Sequence, residues 1–145
     1  MTTTGYSLTQ PASSSPWAAP LADAPVQATV AVPSSKSLTN RKLVLAAISD
    51  APSTLSSPLH SEDSARMIEA LRTLGVGIEL VPGDGAFGPD LHVTPPAALH
   101  GGVTIDCGQA GTVMRFIAPL AGLATGDVTI TAHASALHRP MGEMI

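Results

Sequence analysis

Short apolar runs alternate along the chain with polar turns marked by glycine, proline or serine, a pattern typical of a protein that mixes helices and strands. Residues 27–32 alternate in polarity, which predicts a half-buried strand that ends at Pro33. The polar stretch 33–41 follows and opens an apolar segment that we expect to be helical to about Ser49. Pro52 then prevents the helix from continuing.

An amphipathic helix follows a short predicted strand over residues 53–57. Ser61 is the expected N-cap of this helix, acidic side chains occupy its first turn, and Gly75 ends it. Residues 77–81 and 91–94 then predict a hairpin or meander around a turn rich in glycine and proline. The apolar face of the helix is formed by Met67, Ile68, Leu71 and Leu74.

The second half of the chain repeats the order of the first. Residues 103–107 correspond to 28–32, and the glycine-rich turn 108–112 stands where the serine-rich loop stood. A helix over residues 113–124 and a strand over residues 127–131 follow. The interval of about 75 residues predicts two copies of one structural unit. By this parallel the chain ends about two turns into another helix, so we expect a fragment, a nicked product or a truncated gene.

Composition narrows the classes of function. Ser, Thr, Ala and Pro dominate residues 1–24, which we interpret as a flexible leader before a domain over residues 25–145. The net charge of −4, with only seven Lys and Arg, argues against a nucleic-acid or anionic-membrane surface. No apolar run approaches membrane-spanning length. Cys107 stands alone, which excludes an internal disulfide, and its apolar surroundings favour a buried residue over a catalytic thiol.

The few cations are more informative than the histidines. The five histidines show no pair at metal-ligand spacing, and neither a dinucleotide fingerprint nor a Walker-type loop is present, so we expect no metal or nucleotide cofactor. Three of the seven cations lie in or beside residues 33–41, and Arg115 and Arg139 lie in two other segments marked by glycine or proline. These positions predict a shared site for a small anion.

The start of the first helix has the chemistry of an anion site. Its backbone N–H groups lack internal partners, and the helix dipole adds positive charge there. Residues four apart stack on a helix, so Lys36 should lie over Asn40 and Ser37 over Arg41, giving two donor pairs that could grip two anionic groups. The alternative is an ordinary capped helix with solvated cations.

The two later segments have the same ambiguity. The glycines in the turn 108–112 would let a ligand approach its backbone N–H groups, although glycine at such turns often serves backbone conformation alone. Arg115 could reach a ligand or pair with Asp63 or Glu62. Arg139 stands just before a helix-initiating proline, where the alternative is a surface arginine.

Three segments resemble the 5-enolpyruvylshikimate-3-phosphate (EPSP) synthases, the family of 3-phosphoshikimate 1-carboxyvinyltransferases. Residues 35–41 match its S-K-S-x-x-N-R signature, residues 108–115 resemble G-N-A-G-T-x-M-R, and residues 139–142 resemble R-P-I-G. The segments occur in family order. Two positions depart from the usual pattern, because Ser34 replaces a common glycine and Gln109 replaces a common asparagine.

The resemblance implies transfer of the enolpyruvyl group from phosphoenolpyruvate to the 5-hydroxyl of shikimate 3-phosphate, with release of phosphate, in aromatic amino acid biosynthesis. It implies a cytoplasmic transferase without metal or organic cofactor that is a monomer when complete. The family fold is an inside-out α/β barrel with two domains, each built from three βαβαββ units. Residues 25–145 would supply about two units of one domain.

The resemblance also implies roles for individual residues. Lys36 is the catalytic candidate and would contact phosphoenolpyruvate and the 5-hydroxyl region. Ser37 and Arg41 would hold shikimate 3-phosphate together with Lys36, while Gly111 and Arg139 would bind phosphoenolpyruvate. The family's acid/base carboxylates lie later in the chain, so we expect residues 1–145 alone not to turn over. The supporting positions are Gln109, Thr112, Arg115 and Asp63.

Two alternatives compete with this assignment. UDP-N-acetylglucosamine 1-carboxyvinyltransferase shares the fold and the donor, but it has a lysine-asparagine pair where this chain has Lys36 and Ser37, and it lacks the following asparagine-arginine pattern that includes Arg41. A non-catalytic, anion-binding half-enzyme is the alternative from a different class, and the early end of the chain is its only support.

Overall fold

The computed structural model describes residues 24–25 and 27–139, and the chain divides into two units, residues 1–31 and 32–145. The described residues of the first unit are exposed and form neither helix nor strand. Within the described residues, every helix and strand belongs to the second unit. The predicted leader, residues 1–24, lies almost entirely outside the described residues and stays a prediction.

The strand predicted over residues 27–32 is wrong, because no strand is present there. Val30 and Val32 are 75% and 71% exposed. Alternating polarity produces a strand only where a neighbouring strand supplies hydrogen bonds, and the described residues contain no such ladder for this segment. The alternation therefore did not identify a strand here.

Helix α1 spans Lys36–Ala47 and begins where the polar stretch predicted. Ser35 is its N-cap, and the Ser35 Oγ accepts a hydrogen bond from the Leu38 N–H at 3.1 Å. At the other end, the Ser49 hydroxyl donates to the carbonyl oxygen of Ala46 at 2.9 Å. This bond satisfies a carbonyl that the end of the helix leaves without an internal partner.

Helix α2 spans Glu62–Thr73 and has the predicted cap. Ser61 and Ser64 form a reciprocal capping box, in which each hydroxyl accepts from the other residue's backbone N–H, at 3.3 Å and 2.7 Å. Gly75 follows the helix with φ of +94°, a left-handed conformation that glycine adopts without strain. Both predicted ends are confirmed.

The first sheet is antiparallel and has the strand order β1-β3-β2. Its strands are β1 at Ser53–Leu55, β2 at Gly77–Val81 and β3 at Asp90–Thr94, so the predicted hairpin is confirmed. The strand β1 is shorter than predicted because Ser57 adopts φ of +47°, which turns the chain out of the sheet. The Ser57 N–H donates to Oδ1 of Asp90 at 2.8 Å instead.

The second sheet has the order of elements predicted for the second copy of the repeat, whereas the first copy lacks its predicted opening strand. Strands β4, Val103–Asp106, and β5, Val128–Thr131, pair in parallel and are joined by helix α3, Gly111–Ala121. The helices α1 and α3 begin 75 residues apart, at 36 and 111, and β1 and β5 begin the same distance apart, at 53 and 128. A short helix α4, Ala134–Leu137, was not predicted.

The hydrophobic core lies among the three long helices and the inner faces of the sheets. Because helices pack on sheets in this way, the molecule has α/β character. Helix α2 is central, since it packs on α1, α3, β2 and β4. No helix within residues 24–25 and 27–139 is long and apolar enough to cross a bilayer. The largest fully buried apolar side chains are Leu43, Met67, Leu71, Leu74, Leu91, Val93, Val113 and Ile117.

Cys107 follows β4 and is free and fully buried, as predicted. Burial, with a smaller contribution from the negative charge of Asp106, raises the pKa of its thiol from 9.0 to about 11. The native thiol therefore keeps its proton at pH values where the thiol of an unfolded chain has lost it.

Unfolding is expected to become easier as the pH rises from 9 to 11, because the unfolded state releases the Cys107 proton first. The Cys107 contribution to the free energy of unfolding is fully present below pH 9 and falls by about 1.4 kcal/mol per pH unit above it. Urea unfolding at several pH values tests this, with Cys107→Ala as the control that removes the titrating thiol. An identical alkaline slope in the two proteins would contradict the prediction.

Candidate active site

The N-terminal ends of α1, α2 and α3 meet at one cavity of about 710 Å³. Lys36 comes from the first turn of α1, Asp63 and Arg66 from the first turns of α2, and the turn 108–112 leads into α3. Each helix start presents partial positive charge and backbone N–H groups without internal partners. The convergence of three such ends provides the physical basis of an anion site.

Four of the seven Lys and Arg residues of the chain line this cavity, namely Lys36, Arg66, Arg115 and Arg139. Acidic residues hold two of them in place. The Nζ of Lys36 lies 2.9 Å from Oδ2 of Asp63, and Nη1 of Arg66 lies 2.8 Å from Oδ2 of Asp106. These ion pairs therefore fix the positions of two of the positive charges in the site.

The two glycines of the turn serve different purposes. Gly108 has φ of +53°, so glycine is required there by backbone conformation. Gly111 has no such requirement, but a Cβ at this position would overlap Nη1 of Arg139 and lie 3.6 Å from Nη1 of Arg115. The absence of a side chain at Gly111 thus lets two guanidinium groups approach the start of α3.

Seven of the residues predicted for the site lie around the cavity. Ser37 and Arg41 do not line it and are exposed on α1, so their assignment to shikimate 3-phosphate stays a prediction. The predicted donor pair of Lys36 and Asn40 is wrong, because Asn40 is fully buried in the core. The seven residues that meet are Lys36, Asp63, Gln109, Gly111, Thr112, Arg115 and Arg139.

Arg139 is the last of the described residues and follows a short helix. The structure places the short helix α4 directly before Arg139. Arg139 therefore follows a helix and does not lie in a direct turn from a strand into a helix. The helix predicted after Pro140 lies outside the described residues.

Asp63 pairs with Lys36, and Glu62 lies 4.0 Å from Nη2 of Arg66.

Three ionisable cavity residues were missed by the sequence analysis: Arg66, Asp106 and His133. The sequence Asp-x-Gly at residues 106–108 was an available signal, because Asp in this spacing often accepts a hydrogen bond from the backbone N–H two residues later. His133 caps α4, and its Nδ1 accepts from the Ser135 N–H at 3.2 Å. Arg66 and Asp106 are 40 residues apart, so no local sequence pattern indicated that they would pair.

Hydrogen bonding favours the ionised form of the Asp106 carboxyl. The hydrogen bond from the Gly108 N–H to Oδ1, at 2.9 Å, is the main reason that the pKa of this carboxyl lies below its ordinary value, and the charge of Arg66 acts in the same direction. Among the described residues, no group of three His, Cys, Asp or Glu side chains is arranged to hold a metal ion.

Comparison with known proteins agrees with this geometry. A family model described as EPSP synthase (3-phosphoshikimate 1-carboxyvinyltransferase) matches residues 21–145. The 3-phosphoshikimate 1-carboxyvinyltransferase of Kocuria rhizophila is 53% identical over 135 residues, which cover 89% of this chain and 30% of the relative. The enzyme of the same name from Bifidobacterium longum is 47% identical over 127 residues, which cover 86% of this chain and 28% of the relative.

A solved structure, the EPSP synthase from Acinetobacter baumannii, matches 77% of this chain and 25% of its own with a TM-score of 0.61 and 26% identity. The predicted α/β class is thereby confirmed, and the matched names support the main assignment over the UDP-N-acetylglucosamine enzyme. The chain spans about 30% of the length of the curated relatives that it matches. By sequence, fold and the family model over residues 21–145, this chain belongs to the EPSP synthase family.

Proposed function

We propose that the protein to which this chain belongs transfers the enolpyruvyl group of phosphoenolpyruvate to the 5-hydroxyl of shikimate 3-phosphate and releases phosphate. The observation that carries the proposal is the convergence of Lys36, Arg115 and Arg139 on the helix starts around one cavity, in a chain of the EPSP synthase family. Both substrates are anionic, and four of the seven Lys and Arg side chains of the chain line this cavity.

The donor phosphoenolpyruvate has a carboxylate and a phosphate, which need separate cationic partners. Arg139 provides a planar fork that suits either group, and the first turn of α3 beside Gly111 provides backbone N–H groups. Lys36 provides a compact charge at the start of α1, where it would reach the donor and the region of the 5-hydroxyl. Ser37 and Arg41 would hold shikimate 3-phosphate beside Lys36.

Supporting residues keep these groups in position. Asp63 holds the Lys36 ammonium through the 2.9 Å ion pair, and Gln109 and Thr112 flank Gly111 on the turn into α3. Arg115 lies one helical turn after Gly111 and faces the same cavity. In the transition state, charge develops on oxygen atoms as the tetrahedral intermediate forms and collapses, and cations fixed beforehand stabilise that charge.

The proposal includes no metal and no organic cofactor. It also includes a monomeric enzyme in the cytoplasm, which rests on the family resemblance and is compatible with the free, buried Cys107. The acid/base carboxylates that the resemblance implies match no residues of this chain. We therefore assign binding and charge stabilisation, and not proton transfer, to residues 1–145.

The test is release of phosphate by the whole polypeptide to which residues 1–145 belong, with both substrates supplied. We expect release that requires shikimate 3-phosphate and does not occur when UDP-N-acetylglucosamine replaces it. Residues 1–145 expressed alone are expected to release none, because the proton-transfer groups are missing. If the whole polypeptide binds shikimate 3-phosphate but releases no phosphate, the non-catalytic alternative is favoured.

A further inference from the structure

Gly108, at the start of the turn into α3, is held by hydrogen bonds on both sides of its Cα. Its N–H donates to Oδ1 of Asp106 at 2.9 Å, and its carbonyl oxygen accepts from the His133 N–H at 2.8 Å. The N–H belongs to the peptide group before the Cα and the carbonyl to the peptide group after it, so the two bonds together restrain the φ and ψ angles of Gly108. The direction in which the next N–H groups of the turn point depends on these two angles.

Asp106 is in turn held by a residue of another element. Its second oxygen, Oδ2, accepts from Nη1 of Arg66 at 2.8 Å, so one carboxylate joins the turn to helix α2. Because the two oxygens have different partners, rotation of the carboxylate would break both bonds. Arg66 thereby selects the orientation in which Oδ1 meets the Gly108 N–H.

Arg66 also covers the turn directly. A Cβ on Gly108 would lie 3.0 Å from both Cζ and Nε of Arg66, so the guanidinium packs closely over the Gly108 backbone. This contact restricts the turn to glycine in addition to the left-handed φ. The turn is therefore positioned by the hydrogen bonds that Gly108 makes with Asp106 and His133 and by the packing of Arg66 against the Gly108 backbone.

We propose that Arg66 is a positioning residue, which acts through Asp106 to hold the turn 108–112 in the conformation that accepts the anionic donor. The inference rests on the proposed function, since the occupant of the cavity is taken to be phosphoenolpyruvate. It assigns Arg66 no direct contact with substrate. Asp106 belongs to the same device and is the group through which Arg66 acts.

A role in stability alone does not account for this arrangement. The side chains of Arg66 and Asp106 are 38% and 59% exposed, and ion pairs so open to water contribute little to folding. The same chain offers a matched comparison in Arg72, also on α2, whose Nη1 lies 2.8 Å from Oε1 of Glu69. Arg72 does not line the cavity, so of these two arginines only Arg66 is in a position to affect the turn.

The experiment measures kinetics of the whole polypeptide with Arg66→Met, Arg66→Lys and the control Arg72→Met. Arg66→Met is expected to raise KM for phosphoenolpyruvate roughly tenfold or more, with a smaller change in kcat and in KM for shikimate 3-phosphate. Arg66→Lys should restore much of the loss because it keeps a charge within reach of Asp106. Arg72→Met should leave all three constants near those of the unchanged protein.

A double-mutant cycle separates positioning from direct binding. If Arg66 acts through Asp106, adding Arg66→Met to Asp106→Ala will raise KM for phosphoenolpyruvate little beyond the effect of Asp106→Ala alone. Full additivity of the two changes would overturn the proposal, because it would mean that Arg66 acts independently. Faster hydrogen exchange of the Gly108 amide in Arg66→Met is the expected structural signature, and unchanged exchange would count against it.

Failure of this inference and failure of the proposed function give different results. An unchanged protein that releases no phosphate from the two substrates contradicts the proposed function. An active unchanged protein whose KM for phosphoenolpyruvate is the same in Arg66→Met contradicts the role of Arg66 only. Thermal unfolding of each variant identifies any that loses activity by failing to fold, and Arg66→Lys then provides the folded comparison.

Discussion

Replacing Lys36 by methionine is expected to lower kcat/KM of the whole polypeptide by about 10³-fold. Lys36 stands at the first position of α1, inside the cavity, and its ammonium is fixed 2.9 Å from Oδ2 of Asp63. Methionine keeps most of the length of the side chain and removes the charge. The loss should affect kcat as well as KM, because the Lys36 ammonium is proposed to stabilise the negative charge that develops on the substrates in the transition state.

The matched control is Lys42→Met, which removes a lysine from the same helix. Lys42 is exposed and lies outside the cavity wall, so this variant should keep its activity. Initial rates of phosphate release, measured with each substrate varied in turn, give kcat and KM for both proteins. Equal losses in the two variants would show that the rate depends on the overall positive charge of α1 and not on the position of the lysine. That result would contradict a specific role of Lys36.

Replacing Leu71 by alanine is expected to lower the free energy of unfolding of this chain by about 2–5 kcal/mol. Leu71 is fully buried on α2, the helix that packs on α1, α3, β2 and β4. Removing its isobutyl group loses apolar burial and leaves a cavity that the surrounding helices cannot fill completely. A loss of this size is a large part of the stability of a typical domain.

Leu45→Ala is the control for this substitution, because Leu45 lies on α1 but is 64% exposed. It should change the free energy of unfolding only slightly. Urea unfolding followed by far-ultraviolet circular dichroism gives the midpoint and the slope for each protein. A midpoint for Leu71→Ala that equals the one for Leu45→Ala would contradict the packing described for α2.

The helices and the main assembly of the site could be predicted because their signals are local. Ser61 and Gly75 bound α2 through cap chemistry that involves only a few neighbouring residues. The internal repeat predicted the spacing of α1 and α3, and the motif residues Lys36, Gly111 and Arg139 meet at one cavity. Each of these inferences depended on residues close in sequence or on a family pattern.

Predictions failed where the outcome depended on distant partners. The strand over residues 27–32 needed a neighbouring strand, which alternation cannot provide. The burial of Asn40 depends on how α1 is rotated against the other helices, and four-residue stacking says nothing about that rotation. The ion pair of Arg66 and Asp106 likewise joins two elements that only the tertiary fold brings together.

Under the proposed function, the ion pair of Lys36 and Asp63 makes anion binding an exchange of contacts at one ammonium group. Asp63 is the counterion of Lys36 in the structure, at 2.9 Å. An arriving carboxylate or phosphate would share Lys36 with Asp63, so its affinity would reflect the charge of Lys36 reduced by that of Asp63. Such an exchange lets the anion leave easily, because Asp63 is in place to take back the lysine.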